Sequence, residues 1–314
     1  MIKSLSLLKS FGTRKVKTAP APKPLGVSFM MTIFRILFLL LLFSCTEEKE
    51  QTSTDPQVVD QRISGTDTIL TVKYFYPSGK VKCISEITTR KEKHGTETFF
   101  FENGIQKYEY YFIGKSVWAV GKGHAITGDS LYLGNLIFGQ GEFRQYSDSG
   151  KLQVQGFYKG GQQDSIWSFY YPSGKLERKV GWKNGLQHGK FERFFENGQI
   201  DQDVLWDNGY MVHSKDFFES GRLFREIHFK NGLEDGQAIE YYDLDNRVRQ
   251  IRNYTEGKEN GYEYAYNPDG TLREKAKLLN GQFIDTLFIY NSKGEVVQMK
   301  IVKPKKQTNQ SRTI

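Results

Sequence analysis

From about residue 70 onward, the large apolar residues of this chain recur at fixed distances from a glycine. With that residue set at zero, the zeros are Gly79, Gly104, Gly150, Gly174, Gly198, Gly221, Asn246, Gly270 and Gly294. Neighbouring zeros lie 23–25 residues apart, except for one interval of 46 that holds an eroded unit. Four residues before zero stand Phe75, Phe100, Tyr146, Tyr170, Phe194, Phe217, Tyr242, Tyr266 and Tyr290, all aromatic. Two residues after it stand Val81, Gln106, Leu152, Leu176, Ile200, Leu223, Val248, Leu272 and Val296. Eight after it stand Ile87, Phe112, Tyr158, Trp182, Trp206, Phe229, Tyr254, Leu278 and Val302. Charged residues fill many of the positions between.

Offsets +2 and +8 have the same parity, so on a strand they share one face. The zeros sit in turns such as "YPSG", "NPDG", "FENG" and "FESG". Pro, then Asp or Ser, then Gly specifies a type I turn followed by a left-handed residue. A second turn follows in each unit, at "KGG" 159–161, Asn184-Gly185, Asn208-Gly209, Asn231-Gly232, Glu256-Gly257 and Asn280-Gly281. Each unit therefore reads as a β-hairpin, and the second turn hands the chain to the next. One hairpin cannot bury its own apolar face or pair its own edges. Stacked copies do both, as in repeat arrays of ~24-residue period. The expected fold is all-β: an elongated repeat array of antiparallel β-hairpins spanning 69–302, degenerate near 115–140. The −4 aromatics are expected to form a structural ladder in the core. Phe99, Phe101, Phe169 and Tyr171, at −5 and −3, then fall half-exposed on the other face as candidate partner contacts. The competing expectation is that they cover the far side of a rolled sheet.

The unit "WSFYYPSGKLERKVGWKNGLQHG", Trp167 to Gly189, resembles the bacterial variant of the MORN repeat. That family groups with YwqK-family antitoxins. The resemblance covers roughly residues 70–302, is strongest from Gly150 to Gly281, and implies a curved single sheet or open β-roll. It implies antitoxin, membrane-binding or scaffold roles.

Composition and charge change the picture at the N-terminus. The net charge is +8, yet residues 1–44 carry seven basic residues and no acid, leaving 37 basic against 36 acidic beyond them. The excess belongs to a leader, which argues against nucleic acid as a partner. Residues 31–45 read "MTIFRILFLLLLFSC". Its apolar run is short of the ~20 residues of a membrane span and fits the h-region of a secretory signal. The ending "LFSC" resembles a bacterial lipobox, which implies cleavage before Cys45 and lipidation of that residue. Residues 1–29 are either an extended n-region or follow from a misplaced start codon. After Cys45, "TEEKEQTSTDPQ" opens a flexible polar tether over 45–68; its acidic start resembles the export signal of surface lipoproteins. Residues 303–314 are expected to be a disordered basic tail.

Catalytic patterns are missing. "IGKS" at 113–116 lacks the upstream Gly of a phosphate loop, since residue 109 is Glu. The five histidines, His94, His124, His188, His213 and His228, include no i, i+4 pair. "DLDN" at 243–246 lacks the Gly and distal Glu of a calcium loop. Cys83 reads as a small buried residue without a cysteine partner. The expectation is a non-enzymatic protein with no cofactor and no metal. It would be a lipid-anchored envelope scaffold on the outer membrane, periplasmic or surface-exposed, held by a lipid on Cys45 and binding another envelope protein. The alternatives are toxin neutralisation and the binding of envelope lipid or glycan.

Overall fold

The computed structural model describes residues 56–301, which lie within one of the two units of the chain, Thr52–Ile314. The leader, Cys45, the start of the tether, Val302 and the tail fall outside the described residues. Every described element is a strand, and every pairing between neighbours is antiparallel. The all-β hairpin array expected from the sequence is what forms.

The strands make two open sheets; the resemblance implied a curved single sheet or an open β-roll. Seven strands, from Gln57–Ser64 to Ser130–Leu131, pair in chain order. Sixteen more, from Gly141–Tyr146 to Val296–Ile301, form the second sheet; Lys258–Glu259 and Gln282–Phe283 lie off its main path. The break falls in the eroded unit, where regular pairing gives way to isolated bridges, Gly134 with Phe143 and Ile137 with Gln140. Backbone bonds still cross it, from Val120 N to Leu136 O (3.1 Å) and from Gly139 N to Trp118 O (2.7 Å). Part of the expected tether is ordered too: Gln57–Ser64 pairs along Asp67–Phe75.

The turns follow their sequence. In the unit around Gly174, Tyr171 N donates to Lys175 O (2.9 Å) and Gly174 N to Tyr171 O (2.8 Å). Gly174 has φ +89°, the left-handed conformation that glycine adopts without a Cβ clash. Asn208 and Gly209 have φ +45° and +86°, as a type I′ turn requires at both central residues.

A β-bulge recurs beside each first turn. Phe169 pairs with Arg178, but Tyr170 pairs with Leu176, so Glu177 has no opposite residue. The same shift occurs at Phe75, Phe100, Tyr146, Phe194, Phe217, Tyr241, Tyr266 and Tyr290. An extra residue reverses the alternation of side chains beyond it. Consequently the −4 aromatics and, up to Leu272, the +2 aliphatics are half-buried, while the innermost residues sit at −7, +4 and +6.

The central row runs directly across the sheet: Trp167, Val180, Phe191, Val204, Ser214, Ile227, Ala238 and Arg252 are each paired to the next. It shrinks and turns polar toward the C-terminus. Trp167 is the anchor, with no exposed surface. Its ring lies 5.8 Å from Phe143 and 5.1 Å from Tyr158. Phe143 in turn lies 5.8 Å from Tyr110 of the first sheet, which makes the aromatic core continuous across the break.

Candidate functional site

The bulges decide where the candidate contact residues point. Phe101 and Phe169 are buried, and Phe99 and Tyr171 are half-buried. The half-exposed placement expected for this set therefore fails for Phe101 and Phe169. The Arg178 guanidinium covers the Phe169 ring at 4.1 Å; Phe99 lies 5.5 Å from Tyr108. The Tyr171 hydroxyl donates to Phe194 O (2.7 Å). These groups serve the array internally.

The ladder needs one correction. The turn at Asp243–Asn246 is a residue longer, since Tyr242 N donates to Arg247 O rather than to a residue four on. Tyr241 therefore takes the ladder position opposite Val248. Tyr242 takes the position of Tyr171, and its hydroxyl donates to Tyr266 O (2.8 Å).

Beside the central row runs a polar one that the offsets did not reveal. Phe169, Arg178, Arg193, Gln202, Asp216, Arg225, Glu240 and Gln250 are paired in succession. Arg178 faces Arg193, an unfavourable pairing of like charges, relieved by ion pairs to Glu177 and Asp201. Gln202 Nε2 donates to Asp216 Oδ1 (2.7 Å), and Arg225 meets Glu234 at 3.0 Å. Burial pushes the Asp216 carboxyl above its ordinary value, against the pull of Gln202, Arg225 and Arg193. Burial also lowers Arg178, with the Glu177 charge opposing.

The opposite face carries a second charge ladder, Lys179, Glu192, Asp203, Lys215 and Glu226, again paired in succession. Next to it His213 stands opposite His228, ring centroids 4.5 Å apart. They are fifteen positions apart in sequence, so helical spacing could not pair them; the hairpin does. Burial lowers the His213 pKa first, then the charges of His228 and Lys215. Among the described residues no group of three or more His, Cys, Asp or Glu is placed to hold a metal. Cys83 is fully buried and disulfide-bonded, which corrects its expected reading as a residue without a cysteine partner.

One exposed feature repeats. Leu186, Tyr210 and Leu233 each follow a type I′ turn directly, and they are 51, 59 and 51% exposed. Each lies over the glycine of the next turn, Gly209, Gly232 and Gly257; a Cβ on Gly232 would come within 3.0 Å of the Tyr210 ring. The turns are tied to their neighbours, Gly185 N to Gln163 O (2.9 Å), Gly209 N to Gln187 O (2.8 Å) and Gly257 N to Glu234 O (2.8 Å). Exposed Lys183, Asp207 and Lys230 flank this apolar strip. Where the residue just after a first turn is cationic it can tie the opposite edge, as from Lys151 Nζ to Pro172 O (3.2 Å), Lys175 Nζ to Glu196 O (2.6 Å) and Arg247 Nη1 to Pro268 O (3.0 Å).

The family model described as MORN repeat variant matches residues 140–159, 163–184 and 187–208. These three segments are MORN repeat variants, and the hairpins that continue to Ile301 repeat their geometry. Such repeats suggest a protein that interacts with other proteins or with membranes. No curated protein matches the chain. Among solved structures, a chain of "Crystal Structure of TcdB2-TccC3-Cdc42" is similar at 12% identity and a TM-score of 0.18. That match covers 76% of this chain but 16% of the other.

Proposed function

We propose that this protein is a non-enzymatic scaffold of the bacterial envelope that holds a partner protein on its second-turn edge; a lipid on Cys45, the anchor its sequence suggests, would form in place of the Cys83 disulfide. The observation behind this reading is the exposed strip of Leu186, Tyr210 and Leu233, repeated along a braced edge. Two strand spacings of ~4.7–4.9 Å separate successive members. Apolar centre, aromatic anchor and charged rim are the composition of protein-binding patches. A rigid frame reduces the ordering cost of binding. The test is in-cell crosslinking of a C-terminally tagged protein, followed by mass spectrometry. One recurrent partner, lost when Leu186 and Tyr210 become Ser in a protein that still folds, is the expected result. The same partners captured by that variant would contradict it.

The anchor is tested by fractionation and intact mass. Cys45→Ser should release the protein from membranes. Cys45 is the other cysteine of the sequence, and acylation would take the sulfur that a disulfide with Cys83 needs. An acylated mass and a disulfide-bonded mass therefore exclude one another.

Glycan binding has one observation behind it. Trp182 and Trp206, two strands apart, have buried indole N–H groups that meet no acceptor. Binding of soluble envelope glycan fragments that is lost in Trp182→Phe and Trp206→Phe would favour it.

A further inference from the structure

His213 and His228 lie on the two strands of one hairpin, Tyr210–Phe217 and Leu223–Lys230, directly opposite one another. His213 is half-buried and His228 exposed. Their ring centroids are 4.5 Å apart. Other hairpins fill the same two positions with Ile166 and Gly181, Lys190 and Leu205, or Tyr262 and Lys277. Stacking of the units therefore asks for no imidazole here. Among the described residues no hydrogen bond or ion pair holds either ring. Two other histidines are engaged: His124 Nδ1 lies 3.0 Å from Gln106 O, and His188 Nδ1 lies 3.3 Å from Asp207.

We propose that His213 and His228 form a two-imidazole binding site for a divalent late transition metal, Cu²⁺ above all, with water completing the coordination. The spacing of the rings is the first support. An imidazole nitrogen binds such an ion at about 2.0–2.1 Å, which puts the ring centroid roughly 3.2 Å from the metal. Two imidazoles at right angles around a tetragonal ion then have centroids about 4.5 Å apart. The pair already has that separation. Binding therefore calls for rotation of the rings and for no movement of the strands. The donor set is the second support. Imidazole suits Cu²⁺, Ni²⁺ and Zn²⁺ and not the harder Mg²⁺ or Ca²⁺, and Cu²⁺ heads the affinity order. Two protein ligands fall short of the three or more of a closed cage, so the remaining positions belong to water. Charge is the third. Lys215 stands in the next row of the same face, between Asp203 and Glu226, which offset its repulsion of a cation. The hairpin holds both ligands on one frame, so the second imidazole acts at a high effective concentration once the first has bound.

Calorimetric titration of the full chain in mild detergent with Cu²⁺ tests the proposal, together with electron paramagnetic resonance of the complex. One tightly held ion per chain is expected, with hyperfine splitting from two imidazole nitrogens. His213→Gln and His228→Gln should each weaken binding on the order of 100-fold and leave the far-UV spectrum unchanged. His188→Gln, which removes a ring already engaged by Asp207, should leave the affinity as it is. Because the ion binds the folded hairpin, Cu²⁺ should also slow hydrogen exchange in 210–230 in the wild type and not in His228→Gln. A wild-type protein that holds no Cu²⁺ would overturn the proposal. So would an affinity that neither His213→Gln nor His228→Gln lowers, an equal loss in His188→Gln, or a spectrum with a single imidazole nitrogen.

Discussion

The Tyr171 hydroxyl donates a 2.7 Å hydrogen bond to the backbone carbonyl of Phe194, in the following hairpin. Tyr76 makes the same bond to Phe100 (2.7 Å), and Tyr242 makes it to Tyr266 (2.8 Å). Hairpins are thus joined by side-chain stitches as well as by the strand ladder. Tyr171→Phe removes the donor and keeps the ring. It should cost about 0.5–1.5 kcal/mol. Because stability in arrays is local, hydrogen exchange should quicken in 176–207 and stay unchanged in 248–279. Uniform quickening would show that the bond is not a local stitch.

The Trp167 indole lies directly over Gly156. A Cβ at 156 would sit 2.2 Å from the ring, closer than any packing allows. Gly156→Ala should destabilise by about 1–3 kcal/mol through overpacking, and Trp167→Ala by about 3–5 kcal/mol through the cavity. Indole fluorescence under denaturant checks the first and near-UV circular dichroism the second. A neutral Gly156→Ala would mean that the indole moves freely.

Asp216 makes the polar row sensitive to pH. Burial raises its carboxyl pKa above the ordinary 3.8. The folded protein therefore holds that proton to higher pH than the unfolded chain. Its contribution to stability is full below the unfolded value and is lost as pH rises through the folded one. Asp216→Asn keeps an acceptor for Gln202 and removes the titration. Relative to wild type, the variant should gain stability as pH rises from below 3.8 to neutrality. A variant less stable at neutral pH would show that Arg193 and Arg225 outweigh burial.

The His213–His228 pair gives a spectroscopic test of the hairpin register. Burial lowers the His213 pKa, and the neighbouring imidazole and Lys215 lower it further. Replacing His228 with Asn should bring the NMR titration of His213 back toward 6.5 without restoring it fully. An unchanged titration would mean that the rings are not in contact.

The period, both turn types and the strand count per unit were legible in the sequence, because glycine and Asn-Gly mark positions where the backbone must be left-handed. Which face is core was not. Parity counted from Gly174 to Tyr170 and Leu176 assumes unbroken alternation, and the bulge at Glu177 breaks it in every hairpin. Tyr242 was misplaced for a related reason: the longer Asp243–Asn246 turn shifts the count by one. The strand Gln57–Ser64 reads as tether because its exposed residues carry no apolar pattern. The strip of Leu186, Tyr210 and Leu233 was visible as a repeat, but only the turn geometry shows that it is exposed.

That strip carries the account, and site-specific photo-crosslinking in cells tests it most directly. A photoreactive phenylalanine analogue at Tyr210 should trap one discrete adduct of defined mass. The same analogue at Phe169, buried under Arg178, should trap none. Crosslinking at 169 in place of 210, or adducts at neither, would contradict a partner bound on the second-turn edge.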